Sequence, residues 1–295
     1  MWQKIIQELR NGDARALART ISFVENRVHG YEDLLQELGS FDTPVIGITG
    51  PPGAGKSSLV DALVGEMVRN GKRTGVICVD PSSPFNLGAL LGDRIRMSEW
   101  YSHPGVFIRS LASRGSLGGL NPMIIEITDV MKAAGFDQVI VETVGVGQSE
   151  VEIAGLADVT VVVMVPEGGD EIQTMKAGLM EIADVFVVNK SDRPGADNFV
   201  KNLRLMLAPA FHHRHEIGII KTVATSREGI PELYSEVAKC LSLARTSEKK
   251  AWLLAEKAWH LIQQKRMRDI DKKALAEIIK QETQGFNLYK FVNRF

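Results

Sequence analysis

Apolar residues recur along the first forty positions at helical intervals. Leu9, Leu17, Ile21, Val24 and Val28 stand three, four, seven or eight apart, which predicts helices over 1–40 with one buried face. Asp13, directly after Asn11-Gly12, is placed to cap the second helix, and Gly39-Ser40 closes the segment. From Pro44 the rhythm changes. Short runs rich in Val and Ile at 45–49, 74–80, 106–110, 138–142, 159–165, 185–189 and 218–223 read as strands. Between them the pattern predicts helices at 56–70, 93–100, 122–134, 171–183, 198–207 and 231–245, the third of these opening on Pro122. Val- and Ile-rich strands alternating with helices predict an α/β fold with a mainly parallel sheet covered on both faces. Residues 247–281 then form a charged helical tail. Trp252, Leu253, Ala255, Trp259 and Ile262 line one stripe of it, and Ala274, Ile278 and Ile279 a second. Two tryptophans on so polar a helix point to a dimer or partner contact. The expected division is a helical extension at 1–40, an α/β domain at 41–245 and a helical arm at 246–295.

Composition narrows the class. Of 295 residues, 44% are hydrophobic and 24% charged, which suits one large core with appended helices. The formal net charge of −1 gives no general attraction to nucleic acid or to an anionic membrane. The longest apolar run, 159–165 with Thr160 inside it, is too short to cross a bilayer, and Met1-Trp2-Gln3-Lys4-Ile5-Ile6 lacks the apolar stretch of a signal peptide. Cys78 and Cys240 belong to no metal-spacing motif, so a reducing cytoplasm is expected, with a processed mitochondrial precursor as the alternative.

The chemistry gathers at the ends of the expected strands, where parallel α/β sheets bind ligands. After the first strand comes Gly50-Pro51-Pro52-Gly53-Ala54-Gly55-Lys56-Ser57-Ser58, a match to G-x-x-x-x-G-K-[ST]. Gly53 and Gly55 permit turns that a Cβ would block. The loop N–H groups and the positive end of the next helix suit a di- or triphosphate. Lys56 can reach the terminal phosphates, and the Ser57 hydroxyl can ligate Mg²⁺. The second strand ends in Asp80, and Asp93 follows 13 residues later; each is a candidate Mg²⁺ ligand or, equally, a helix cap. Asp93 also stands where a γ-phosphate sensor would. The fourth strand ends in Glu142-Thr143-Val144-Gly145, with Glu142 at the Walker-B position and Gly145 open to close approach by the γ-phosphate. Many small GTPases place a Gln after this Gly; here Val146 stands there and Gln148 is the nearest Gln, so slow intrinsic hydrolysis is expected. Arg96 and Arg114 are candidate transition-state cations, or ordinary surface ion-pair partners. The sixth strand ends in Asn189-Lys190-Ser191-Asp192, the N-K-x-D pattern. Its carboxylate accepts from guanine N1–H and N2–H₂, a donor pair adenine lacks, so GTP and GDP are expected rather than ATP. The Lys190 stem would flank the base, Asn189 would tie loops together, and the backbone at Ala224 and Thr225 can donate to guanine O6.

From about Gly12 to Leu241 the chain resembles the MeaB/ArgK family of P-loop GTPases, whose G domains are of the SIMIBI type. Beyond generic motifs, the resemblance rests on Val79-Asp80-Pro81-Ser82-Ser83-Pro84, Leu91-Gly92-Asp93-Arg94-Ile95-Arg96-Met97, Ser113-Arg114-Gly115, Leu117-Gly118-Gly119-Leu120, Val141 through Glu150, and Gly169-Asp170-Glu171-Ile172-Gln173 with Lys176. It implies a GTP-driven chaperone that gates adenosylcobalamin delivery to an acyl-CoA mutase of the methylmalonyl-CoA type and protects or reactivates that enzyme. It also implies a magnesium environment of Ser57, Asp80, Asp93 and Glu142, with switches at 80–97, 143–150 and about 167–176. A homodimer through the C-terminal helices is implied as well. Glu167 and Thr174-Met175 depart from the family's usual residues in the third switch. The competing readings are a nickel-delivery GTPase, for which only Phe211-His212-His213-Arg214-His215 offers ligands, and a transport-associated P-loop ATPase or kinase, against which Asp192 argues.

Overall fold

The computed structural model describes residues 2–39, 41–80, 97–113, 120–145, 152–166, 177–207, 217–244, 247–282 and 286–295. These fall into two compact units, Met1–Leu253 and Leu254–Phe295.

The first unit opens with α1 (Trp2–Arg10), α2 (Ala14–Glu25) and α3 (Tyr31–Leu38). Asp13 does cap α2: its Oδ1 accepts from the N–H groups of Arg15 at 2.8 Å and Ala16 at 3.0 Å. Those bonds, Ala16's first, hold its carboxyl below the usual carboxylate range. The expected stripe is buried at Leu9, Leu17, Ile21 and Val24, but Val28 is 46% exposed. The helix ends at Glu25 and Arg27 turns left-handed at φ 49°, so the periodicity stops before Val28.

Then come β1 (Val45–Thr49), α4 (Lys56–Arg69), β2 (Thr74–Asp80), β3 (Val106–Ala112), α5 (Ile124–Ala133), β4 (Gln138–Glu142), β5 (Val159–Met164), α6 (Ala177–Ile182), β6 (Val185–Asn189), α7 (Ala196–Leu207), β7 (Gly218–Thr222) and α8 (Ile230–Ala244). The seven strands form one parallel sheet in the order β3-β2-β4-β1-β5-β6-β7. β1, β2, β4, β5 and β6 are buried at every position, which is why their sequences show no alternation. β3 and β7 are the half-exposed edges. An aspartate immediately before each of three strands sets the register of a neighbouring strand. Asp137 accepts from Arg73 N–H at 2.8 Å, Asp158 from Val45 N–H at 2.7 Å, and Asp184 from Thr160 N–H at 2.8 Å. Helices α1, α2 and α3 pack on α5. On the other face, Leu59, Leu63 and Met67 of α4 and Leu233 and Val237 of α8 share a core with Ile46, Ile48 and Val161. Phe199, Leu203 and Leu207 of α7 pack with Phe186 and Val188.

Among the described residues, two expected helices start later than the pattern predicts. Of 93–100, only Ser98–Trp100 is helical among the described residues, as a single 3₁₀ turn. Of 171–183, residues 177–183 are described, and Ala177–Ile182 is helical there as expected. α5 starts two residues late, because Asn121 donates to the Ala112 carbonyl at 2.7 Å and accepts from Met123 N–H at 2.8 Å, fixing a turn first.

α9 (Ser247–Arg266) begins in the first unit, where Leu253 is buried. The second unit continues with α10 (Lys272–Gln281), capped by Asp271, and α11 (Leu288–Val292), capped by Asn287. Phe291 is buried between Phe286 and Phe295, ring centroids 5.5 and 5.4 Å away. In the expected α9 stripe only Leu253 departs: it is buried, while Trp252, Ala255, Trp259 and Ile262, at helical intervals, are exposed.

Candidate nucleotide site

The chain leaves β1 in one direction to build β2 and β3 and in the other to build β5, β6 and β7, so the end of β1 is the switch point where a parallel sheet opens a crevice. The Gly50–Ser57 loop occupies that point. The first-turn N–H groups of α4 have no partner within the helix and carry its positive dipole end, an arrangement that attracts anions. Lys56, 7% exposed, donates from Nζ to the carbonyls of Gly50 at 2.9 Å and Pro51 at 3.1 Å. A phosphate oxygen can take over either bond. Pro52 and Gly53 are exposed, Gly50 and Ala54 buried, and Ser58 half-buried.

Beside the loop, the Ser57 hydroxyl donates to Glu142 Oε1 at 2.7 Å. Glu142 is 4% exposed at the end of β4, and Asp80 is 6% exposed at the end of the adjoining β2. The ends of β1 and β4 are locked by a 2.9 Å hydrogen bond between the Thr49 and Thr143 hydroxyls and by Thr143 N–H donating to the Ile48 carbonyl at 3.0 Å. Gly145 follows at φ 81°. A Cβ there would lie 2.5 Å from the Gly50 carbonyl oxygen and 2.2 Å from Lys56 Nζ, so only glycine lets this segment pass so close to the phosphate loop. A hydroxyl and two carboxylates on one strand-end ledge are hard oxygen donors. They fit Mg²⁺, which takes one or two protein ligands and completes its shell with phosphate and water. Among the described residues no group of three or more His, Cys, Asp or Glu forms an all-protein metal site.

The far end of the crevice is held by Asn189, which is 2% exposed. Its Nδ2 donates to the Ala54 carbonyl at 2.9 Å, and its Oδ1 accepts from the Thr222 hydroxyl at 3.1 Å and from Ala224 N–H at 3.2 Å. One side chain thus joins the phosphate loop, the end of β7 and the turn after it. Ala224 N–H, expected to face guanine O6, is engaged by Asn189 here, whereas Thr225 is exposed. Lys190, left-handed at φ 56°, crosses to donate to the Gly53 carbonyl at 2.8 Å, laying its stem along the crevice. Ser191 N–H donates to the Thr222 carbonyl at 3.0 Å, and the next residue, Asp192, is exposed. Motif reading does not single out Thr49, Thr143 or Thr222; Thr49 and Thr143 are polar residues ending or following a strand buried throughout, which is the signal that marks them, whereas Thr222 ends the half-exposed edge strand β7 and carries no such signal. Asp93, Arg96, Arg114, Gln148, the third switch at 167–176 and the His212–His215 cluster lie outside the described residues.

A phosphate loop at the switch point of an all-parallel sheet, with N-K-x-D two strands away, defines an α/β P-loop NTPase selective for guanine nucleotides. A family model described as methylmalonyl-CoA mutase-associated GTPase MeaB matches residues 17–278. The chain belongs to this MeaB family, and it is a GTPase that binds GTP and GDP. A Pyrococcus abyssi (strain GE5 / Orsay) relative bearing a GTPase designation is 48% identical over 243 residues, 80% of this chain and 75% of its own. The GTPase ArgK of Escherichia coli (strain K12) is 37% identical over 244 residues, 79% of this chain and 73% of that one. A crystal structure described as LAO/AO transport system kinase superposes with a TM-score of 0.68 at 27% identity, covering 99% of this chain and 89% of that chain.

Proposed function

We propose that this protein is the GTP-dependent chaperone of an adenosylcobalamin-dependent acyl-CoA mutase. In this role it gates cofactor delivery and protects or reactivates the enzyme. The observation that carries the reading is the match of residues 17–278 to the mutase-associated GTPase family.

The roles follow from the site. The Lys56 ammonium and the first-turn N–H groups of α4 bind the phosphates. The Asp192 carboxylate accepts from guanine N1–H and N2–H₂, Lys190 flanks the ring, and Asn189 holds the two ends of the crevice at a fixed separation. Ser57, Asp80 and Glu142, with Asp93, would hold Mg²⁺. Bound there, the ion neutralises charge on the phosphate oxygens. Gly145 gives the segment after β4 a direct view of the γ-phosphate, so that segment and the one after Asp80 are the natural reporters of its loss. With Val146 rather than Gln after Gly145, no side chain at that position orients the attacking water. Hydrolysis to GDP and phosphate then needs help, and the mutase is the expected source.

Exposed Trp259, Ile262, Met267, Ile278, Ile279, Leu288 and Tyr289 in the C-terminal unit support a homodimer through this arm. Co-purification from native extract tests the partner. An adenosylcobalamin-dependent mutase should be retained with GTP or GDP present, and failure to retain any such mutase contradicts the reading.

A further inference from the structure

A cluster outside the phosphate loop joins three parts of the molecule that the motifs treat separately. Ser57, Asp61 and Gly65 stand four apart on α4 and share one face of it. Ser57 bonds Glu142. One turn on, Asp61 Oδ1 accepts from the Trp100 indole N–H at 2.7 Å. One turn further, Gly65 makes room for the indole ring: a Cβ there would lie 3.3 and 3.5 Å from Trp100 Cζ2 and Cη2. The same point lies 3.7 Å from the guanidinium carbon of Arg227. Arg227 is left-handed at φ 61° in the turn that carries Ala224 and Thr225, and it donates to Glu99 Oε1 at 3.1 Å. Met97, fully buried, and Trp100 belong to the same core as Leu59 and Leu63 of α4. His103 stands edge-on to the indole at 6.1 Å.

We propose that Trp100 is a positioning residue for guanine-nucleotide binding: seated on α4 through Asp61 and Gly65, with its neighbour Glu99 holding Arg227, it fixes the base-side turn at 223–228 relative to the phosphate-loop helix. A nucleotide touches both ends, so its affinity and residence time depend on their separation being preset. Asn189 spans the same two parts from inside the crevice; the Trp100 cluster spans them from outside. The Glu99–Arg227 pair is exposed on both sides, at 54% and 43%, and such pairs add little to folding stability, so its consequence is alignment. The inference rests on the guanine reading of Asp192, which GDP binding by the wild-type protein tests separately.

The test uses the full chain and a fluorescent N-methylanthraniloyl-GDP. Trp100→Phe keeps ring packing and removes the N–H; Asp61→Ala removes the acceptor; Asp61→Asn keeps an acceptor oxygen. Release from the Phe and Ala variants is expected to be about 3–10-fold faster, with affinity falling in parallel, while Asp61→Asn stays within about twofold of wild type. The Phe–Ala double variant should be no worse than either single one, since both break one bond. The tryptophan fluorescence change on adding GDP should be lost in Trp100→Phe. Arg227→Ala, a surface change that leaves the core intact, should also speed release. Wild-type release rates in Trp100→Phe and Arg227→Ala, or additive losses in the double variant, overturn the proposal. If Trp100→Phe does not fold, Arg227→Ala and Glu99→Ala decide it by the same readout.

Discussion

Asn189 and Asp192 sit three residues apart, yet their removal should have separable consequences. Asn189 is buried and tied to three segments; Asp192 is exposed. Asn189→Ala strands the Ala54 carbonyl and the Ala224 N–H, while the Thr222 hydroxyl can rotate toward another acceptor. Two stranded backbone groups cost about 1–3 kcal/mol each, and a water entering the vacated space recovers part of that. The expected loss for the nucleotide-free protein is about 3 kcal/mol, a large share of a typical ~5–15 kcal/mol total. Asp192→Asn should change that stability by no more than about 0.5 kcal/mol. Its effect falls on the ligand: a lost hydrogen bond to a charged group is worth about 1.5–3 kcal/mol, or roughly 10–150-fold in GDP affinity. The Asn amide can donate where the carboxylate accepted, so xanthosine diphosphate, with a carbonyl in place of the N2 amino group, should bind the variant better than GDP. Urea unfolding without nucleotide and calorimetric titration with GDP, ADP and xanthosine diphosphate separate the two effects. If Asp192→Asn bound GDP like the wild type, the account of base recognition would be wrong. An undiminished urea midpoint in Asn189→Ala would show that the three bonds do not hold the crevice.

Two further outcomes follow from the geometry. Gly145→Ala pays a left-handed penalty of about 1–2 kcal/mol and drives its Cβ against the Gly50 carbonyl; GTP hydrolysis should fall by about tenfold or more while GDP affinity changes less, and equal losses in both would contradict a γ-phosphate role. Glu126 is 8% exposed with Oε2 lacking a hydrogen-bond partner, and burial raises its carboxyl above the ordinary value although Arg27 pulls the other way. The unfolded chain therefore releases this proton at lower pH than the folded one, so stability falls as pH rises from the unfolded value through the folded one. Glu126→Gln should add about 1 kcal/mol at neutral pH, and the gain should vanish below about pH 4 in urea melts; a destabilised variant at neutral pH would refute it.

The site could be read from sequence wherever neighbouring residues carry it. Gly50–Ser57, Glu142 and Asn189–Asp192 each end a strand whose unbroken apolar run is itself the mark of burial on two faces. Asp13 was legible for the same local reason. Val28 was not, because periodicity cannot show that Arg27 has left the helix. Nor was the burial of Leu253 within the Trp252–Ile262 stripe: in so polar a helix the sequence does not say which face meets a neighbour. The bonds Trp100–Asp61 and Arg227–Glu99 span 39 and 128 positions, and nothing local announces them. α11 was missed because five residues make too short a period, although Asn287 at its start is a cap signal.

On the proposed reading, this GTPase works for a mutase. Single-turnover GTP hydrolysis by the purified chain, measured alone and with an adenosylcobalamin-dependent methylmalonyl-CoA mutase, tests it most directly. Acceleration that saturates with mutase concentration is the expected result; an unchanged rate at every mutase concentration would contradict it.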